Sequence, residues 1–578
     1  MQLLQNPQPL QSRHATIGHF LEHQGRHLAD FAVLLQKRNG LYQGLSWGEF
    51  LALVHRTMGA FDQFGLTMGS RVAFFCPNSA EMLAIECAAF AMGLVSVPLF
   101  AGYKERMINE LLDFAQADVL VLPGQEQLAL LHDHGEIRLL LHLEPLENAP
   151  PAWAARARHF ANWIENQPAG SDHLAPLLAR VERDSQALLM FTSGTMSFPK
   201  GVQLTHGNIL SQQEALAQLW QTRPGGRTLS YLPWHHSFGG IFEKFFCLYS
   251  GTALGLDDSR GKDMAQLRAN WQALMPQYFF SVPKVFQELV TATADPLWDR
   301  AFFHGDLRFV FTAGAPLPGT ISDTFRIRGV PVLEGWGLTE TSPCCTLTDG
   351  SAERVSGVVG FPIPGVELGI DEEGEILVRG PNVMTGYFRN EQASAQVLDT
   401  AGWFHTGDLG ELTPLGLRIL TRKDRIFKLA NAEKVNPTAV ENELLGQCPY
   451  VKQVLVFGSG LQHVCAMVFP NHERLNAPGC VPERCERPAS AYDFSCCLRA
   501  CIQDLNSRLA RHYEGIGTFI VLSQELEIEK GELTPSLKVN PQTVMKNFSA
   551  YLDPILKPGS PHPPGAIYIE VGTGRQRA

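Results

Sequence analysis

The hydrophobic pattern of this chain switches between two periods. Ser46-Trp-Gly-Glu49 reads as a capping box. Apolar residues then recur at Phe50, Val54, Met58 and Phe61, which predicts a helix with one buried face, ended by Gly65. Arg71-Val-Ala-Phe-Phe-Cys76 predicts a strand. Asn78-Ser-Ala-Glu81 caps a second helix that Gly93 closes, and Leu94–Leu99 and Ala117–Leu122 predict further strands. Alternation of this kind predicts parallel sheets covered by helices. Residues 123–185, rich in Leu, Ala, His and Pro, break the pattern and predict helices and connections over the surface. A helix is expected from about Asn208 to Trp220.

Farther along, strand-like runs end in small residues. Leu307–Phe311 leads into Thr-Ala-Gly-Ala-Pro-Leu-Pro318, and Pro331-Val-Leu-Glu-Gly-Trp-Gly337 repeats the arrangement. Open α/β sheets hold ligands at such carboxyl strand ends. From Val358, short alternating segments such as Glu375–Arg379 and Leu417–Leu420 predict a small β-rich subdomain. The expected fold class is α/β. A large N-terminal domain of parallel sheets and helices, 1–423, includes the β-rich part at about 358–423. A small mobile α+β domain follows at 424–556. A disordered tail is expected at 557–578, where Pro558, Pro561, Pro563 and Pro564 crowd together.

Composition narrows the function. The net charge is 47 − 58 = −11 without a basic stripe, which argues against nucleic acid as a partner. The N-terminus lacks the basic and apolar regions of a secretion signal. The most apolar window, Cys87–Gly102, is too short to span a bilayer and predicts a buried helix turning into a strand. Peripheral membrane contact remains compatible with this reading. Twelve cysteines in so long a chain point to reduced thiols and a cytoplasmic location. Cys480, Cys485, Cys496, Cys497 and Cys501 show no matched C-x-x-C pairs, so a thiol-bearing insertion is favoured over a zinc site.

The candidate chemistry centres on Phe191-Thr-Ser-Gly-Thr-Met-Ser-Phe-Pro-Lys-Gly201. Its hydroxyls, open N–H groups and Lys200 suit a polyphosphate. Lys200 is followed by Gly201, so the loop is not a Walker A motif. Further clusters follow in order: Tyr231-Leu-Pro-Trp-His-His-Ser-Phe-Gly239, Gly335-Trp-Gly-Leu-Thr-Glu-Thr341, His405-Thr-Gly-Asp408, Thr421-Arg-Lys-Asp-Arg425 with Asn436–Asn442, and Gly531-Glu-Leu-Thr-Pro-Ser-Leu-Lys538.

Together these clusters resemble the adenylate-forming superfamily of acyl-CoA synthetases, peptide-synthetase adenylation domains and beetle luciferases, over roughly residues 30–545. The resemblance implies that a carboxylate attacks the α-phosphate of ATP and that a thiol then attacks the acyl-adenylate. It implies that Thr192, Ser193, Gly194, Thr195 and Lys200 hold the β- and γ-phosphates. It also implies that Gly314, Ala315 and Pro316 form one wall of the adenine pocket, and Gly335, Trp336 and Gly337 the other. By the same resemblance, Thr339 meets the α-phosphate, Glu340 holds Mg²⁺, Asp408 and Arg422 serve the ribose, and Lys538 bridges substrate carboxylate and α-phosphate. The resemblance further implies that His236 aligns substrate or gates thiol access, that Trp234 and Phe238 shape the acyl tunnel, and that Asp424 is the hinge of a swinging C-terminal domain.

Ser281–Phe286, Leu248–Gly251, Ile426–Leu429 and Gly531–Lys538 lean toward long-chain acyl-CoA synthetases, which implies a fatty acid and CoA as substrates. Met196 and Ser197 depart from the superfamily's usual Thr and Gly, and Ala432 stands where many relatives have Gly. These departures keep two alternatives open: a ligase that loads an acyl carrier protein, and a non-catalytic nucleotide- or lipid-binding protein.

Overall fold

The computed structural model describes residues 1–168, 174–192, 198–315, 317–350, 354–355, 357–476, 491–509, 511–527, 530–533, 539–557 and 559–571. The described chain forms two compact units. One comprises Met1–Thr192, Lys200–Thr406 and Leu412–Arg418; the other comprises, of the described residues, Phe198 and Pro199, Gly407–Glu411 and the chain from Ile419 onward, so its main run begins ahead of Asp424.

The first unit is α/β. One sheet has the strand order Gly386–Tyr387, Lys200–Thr205, Gln186–Thr192, Val95–Pro98, Arg71–Phe74, Val119–Leu122, Leu139–His142, Ala157–His159. From Gln186–Thr192 to Ala157–His159 the strands are parallel; the first two are antiparallel to their neighbours. The helix Trp47–Phe64 starts with the Ser46 capping box and ends at Gly65, which holds φ 80. Phe50, Val54, Met58 and Phe61 are all buried on its inner face. Cys87–Gly102 is the end of the buried helix Ala80–Ala91 running into the buried strand Val95–Pro98. Residues 123–185 depart from expectation. Leu139–His142 and Ala157–His159 are strands that extend the sheet, because the buried run Leu139–Leu141 pairs in register with Val119–Val121.

A second sheet is parallel through Val332–Trp336, Phe309–Ala313, Tyr278–Ser281, Arg227–Ser230, Ala253–Leu256 and Ala32–Arg38. Thr346–Leu347 pairs antiparallel with both Val332–Trp336 and Val358–Pro362. The β-rich region is therefore hydrogen-bonded into the large sheet instead of standing apart. Gln2–Gln5 pairs with Glu367–Ile370 at the opposite edge. Aromatic side chains pack one face of the parallel strands: Phe242 stacks on Phe311 at 4.4 Å, and Trp220, Phe246 and Phe280 surround them.

The second unit is α+β. Val451–Phe457, Val464–Pro470, Ile516–Leu522 and Ala566–Glu570 form its sheet. Alternate side chains go to opposite faces. Val454, Val456 and Phe519 pack with Val440 and Leu444 of the helix Pro437–Gln447 and with Leu498 and Ile502 of the helix Ala491–Arg508. Leu455, Phe457 and Ile520 pack with Val544, Phe548 and Leu552. The expectation of an unstructured tail from residue 557 fails at Ala566–Glu570, which pairs antiparallel with Ile516–Leu522. The prolines end before Gly565, and Ile567, Tyr568 and Ile569 have the bulk and branching of strand residues. Among the described residues no helix is long and apolar enough to cross a membrane.

Candidate active site

In the first unit, two neighbouring parallel strands deliver the glycine clusters to one place. Phe309–Ala313 and Val332–Trp336 pair with Ala313 opposite Gly335, so the turns that follow them start side by side. Gly314 takes φ 88, and Gly314 and Ala315 are exposed. Gly335 admits no side chain: a Cβ would lie 2.8 Å from the Phe311 ring and 3.1 Å from the Thr346 carbonyl oxygen. At Gly337 a Cβ would run into the Pro343 carbonyl. Trp336, between them, is half-buried.

The 3₁₀ turn Thr339–Thr341 follows directly. The Thr341 hydroxyl fastens it by accepting the Leu338 N–H at 3.0 Å. Thr339 then donates to Ser237 Oγ at 3.1 Å. Glu340 Oε1 accepts from the Tyr387 hydroxyl at 2.8 Å, and its backbone carbonyl accepts from the Met384 N–H at 2.8 Å. Lys200 Nζ sits 4.7 Å from the centre of the Tyr387 ring. Lys200 is held there by the antiparallel pairing of Lys200 with Thr192. Thus Lys200, which is paired with Thr192, and Glu340, far apart in sequence, meet through Tyr387, while Ser237 holds Thr339 beside Glu340.

His236 is exposed and its Nδ1 accepts from the Phe238 N–H at 3.3 Å, which leaves the proton on Nε2. Its carbonyl accepts from Gly240 in the π-helical turn Phe238–Glu243. Burial, helped by the neighbouring His236, pushes the adjacent His235 imidazole down to about 3, so that ring is neutral. Trp234 is buried with Lys244 over its ring at 5.4 Å. Phe238 joins the aromatic layer, 5.7 Å from Phe311.

In the second unit Asp408 is buried and Arg422 Nη1 reaches its Oδ1 at 3.0 Å. Arg422 Nε also lies 3.5 Å from Asp424 Oδ1, in the short turn Lys423–Arg425. Gly407 holds φ 71, and a Cβ there would come to 3.0 Å from the Arg422 guanidinium. Asn436 caps the helix Pro437–Gln447 and donates to the Leu420 carbonyl at 3.1 Å. Ala432 takes φ 68, so the turn keeps the left-handed backbone suited to glycine. Ser193, Gly194, Thr195, Met196, Ser197, Pro316 and Lys538 lie outside the described residues, as do Cys480 and Cys485.

Sequence reasoning missed Ser237 and Tyr387. Ser237 stood inside a quoted cluster, but its partner is 102 positions away. Tyr387 had no local signal, because it acts only where Gly386–Tyr387 pairs with the strand carrying Lys200.

Comparison with known proteins finds the AMP-binding enzyme family over residues 21–388 and the AMP-binding enzyme C-terminal domain over 424–552. The human long-chain-fatty-acid–CoA ligase 6 is 27% identical, covering 89% of this chain and 82% of its own. The long-chain-fatty-acid–CoA ligase FadD15 of Mycobacterium bovis is 25% identical, covering 91% and 94%. Among solved structures, the anthranilate CoA ligase AuaEII in complex with anthranoyl-AMP matches with a TM-score of 0.74 at 19% identity, covering 93% of this chain and 98% of that one. That likeness is one of fold.

Proposed function

Because the chain belongs to the AMP-binding enzyme family, we propose that it activates a fatty carboxylic acid with ATP and passes the acyl group to the thiol of CoA. The observation that carries this reading is the meeting of the Gly314 and Gly335–Gly337 turns on adjacent strand ends, continued by Thr339 and by Glu340, Tyr387 and Lys200. The names of the similar ligases support a fatty acid and CoA.

In the first half-reaction a carboxylate oxygen attacks the α-phosphorus and pyrophosphate leaves. An anion approaches an anion, so the site must supply cations and N–H donors to the developing charge. Lys200 with Thr192, Ser193, Gly194 and Thr195 would take the β- and γ-phosphates, and Thr339 the α-phosphate. Gly314, Ala315 and Pro316 would face one side of the adenine and Gly335, Trp336 and Gly337 the other, with the Trp336 ring stacked on the base. Asp408 would accept the ribose hydroxyls, with Arg422 orienting its carboxylate.

The Glu340 carboxylate is a hard oxygen donor, half-buried and held by Tyr387, and so fits Mg²⁺. The ion would supply positive charge to the phosphate oxygens. Lys538 would stabilise charge between carboxylate and α-phosphate. In the second half-reaction the thiolate attacks the acyl carbonyl and AMP leaves; His236 would align the acid or admit the thiol. A fatty chain contributes about 0.8 kcal/mol per buried methylene, so an apolar wall such as the layer that includes Phe238 would reward chain length.

Pyrophosphate release over a panel of carboxylic acids, with CoA, with a phosphopantetheinylated carrier protein and with neither, tests the proposal. CoA-dependent turnover of long acids is expected. Turnover with the carrier alone would make the protein a carrier-loading ligase. No pyrophosphate with any acid would leave a nucleotide- or lipid-binding role. Lys538→Ala should lower adenylation by about 10²-fold or more while leaving ATP binding, read by calorimetry, largely intact.

A further inference from the structure

Within the first unit, the helix Glu105–Ala115 and the segment after the helix Gln125–Leu128 bring Asp113, His132 and His134 together. One ligand atom from each lies within 4.8 Å of the other two. We propose that these three residues form a binding site for a single divalent transition-metal ion of the zinc type.

Asn109 sets the orientation of the cluster. Its Nδ2 donates to the Glu105 carbonyl at 2.6 Å and the Leu130 carbonyl at 2.9 Å, and its Oδ1 accepts from the His132 N–H at 3.2 Å. Those bonds fix which end of the amide faces inward. Oδ1 therefore faces His134 Nε2, 2.7 Å away, as an acceptor, so that nitrogen carries a proton. In a neutral imidazole the other nitrogen, Nδ1, then presents a lone pair. It lies 2.7 Å from Asp113 Oδ1, a second acceptor. Both atoms are metal-ligand types, and together with a His132 ring nitrogen they lie within reach of one ion. The His134 side chain is only 3% exposed, so this donor is anchored inside the fold.

The rest of the donor set follows from the His132-Asp133-His134 spacing. The His132 ring stacks on His134 at 4.3 Å, with Nε2 3.9 Å from Asp113 Oδ2. Two imidazoles and a carboxylate are zinc donors, with a fourth tetrahedral position for water. Zinc bond lengths put tetrahedral donors about 3.3 Å apart. The contacts at 2.7 and 3.9 Å bracket that value, and the side chains of His132 and Asp113 are 55% and 64% exposed, free enough to adjust. Asn109 orients the buried ligand through its second nitrogen, as outer-shell groups do at metal sites. Arg156 holds the segment in shape by donating to the His134 and Ile137 carbonyls at 2.7 Å each and pairing with Asp133. Imidazole donors favour zinc-like ions over Mg²⁺, so this site is chemically separate from Glu340. A bound ion would pin the His132–Ile137 segment to the helix Glu105–Ala115.

The test is metal uptake by the full chain after dialysis against a chelator. Zinc is titrated by calorimetry, and cobalt(II) by the visible absorption of a tetrahedral ion. We expect one ion per chain with micromolar or tighter affinity, unaffected by excess Mg²⁺. His132→Ala and Asp113→Asn, both at exposed side chains, should each weaken uptake at least tenfold with an unchanged circular dichroism spectrum. Zinc should also raise the thermal midpoint of the wild type and not of the variants. The proposal is overturned if the wild type takes up no zinc. It is equally overturned if both folded variants bind as the wild type does, which would put the ion elsewhere on the chain.

Discussion

Tyr387 shows how much a single hydroxyl can govern. Its hydrogen bond to Glu340 sets the carboxylate, and its ring lies under the Lys200 cation. A bond to a charged group contributes about 1.5–3 kcal/mol. Tyr387→Phe keeps the ring and removes the hydroxyl that holds Glu340, so kcat/KM for adenylation should fall about tenfold or more, with Lys200 still positioned. Pyrophosphate-release kinetics check this; an unchanged rate would mean that Glu340 needs no such support. His206 acts on stability instead. It is fully buried, its Nδ1 accepts from the Ile17 N–H at 3.3 Å, and burial together with His19 pushes its pKa down to about 3. An unfolded chain takes up a proton near pH 6.5 that the folded chain refuses. Stability should therefore fall as pH drops from about 6.5 toward 3, by up to about 1.4 kcal/mol per pH unit from this residue. Urea midpoints measured at pH 7.5 and 5.0 should show it, with a smaller difference in His206→Asn.

At the scale of elements, the turns of the candidate active site depend on close backbone approach. The chain after Val332–Trp336 doubles back through Pro343 and Thr346–Leu347 so tightly that Gly337 has no room for a methyl group. Gly337→Ala should destabilise the protein by about 1–3 kcal/mol and depress nucleotide affinity, as read by denaturant unfolding and by ATP calorimetry. A neutral change in both would show that the turn yields. The same scale explains what local pattern could reveal. The helix Trp47–Phe64 was legible to its caps, because its capping box, its buried face and its closing glycine are all local features. Leu139–His142 and Ala157–His159 were not, since runs of three or four residues become strands only when a sheet edge is available to pair with. Ala566–Glu570, behind a proline-rich stretch, is a third instance.

At the scale of the whole molecule, the proposed reaction would draw on residues of both compact units. Two conformations, one for adenylation and one for thioester formation, would need a hinge, and Asp424 is the candidate. A hinge is a few residues that absorb large φ/ψ changes. Proline fixes φ, so Asp424→Pro should slow thioester formation far more than adenylation, measured as separate half-reactions. Equal losses would count against a hinge at this position.

The amino-acid sequence by itself determined the class of the fold, the order of the motifs and the residues that carry candidate chemistry, because capping, period and strand-end glycines are written within a few residues of one another. Only the tertiary structure decided which of them meet. The juxtaposition of Ala313 with Gly335, of Tyr387 with Glu340 and of His134 with Asp113 depends on strand register and helix packing between distant segments. Those contacts arise from burying a shared core, and local spacing carries no record of them.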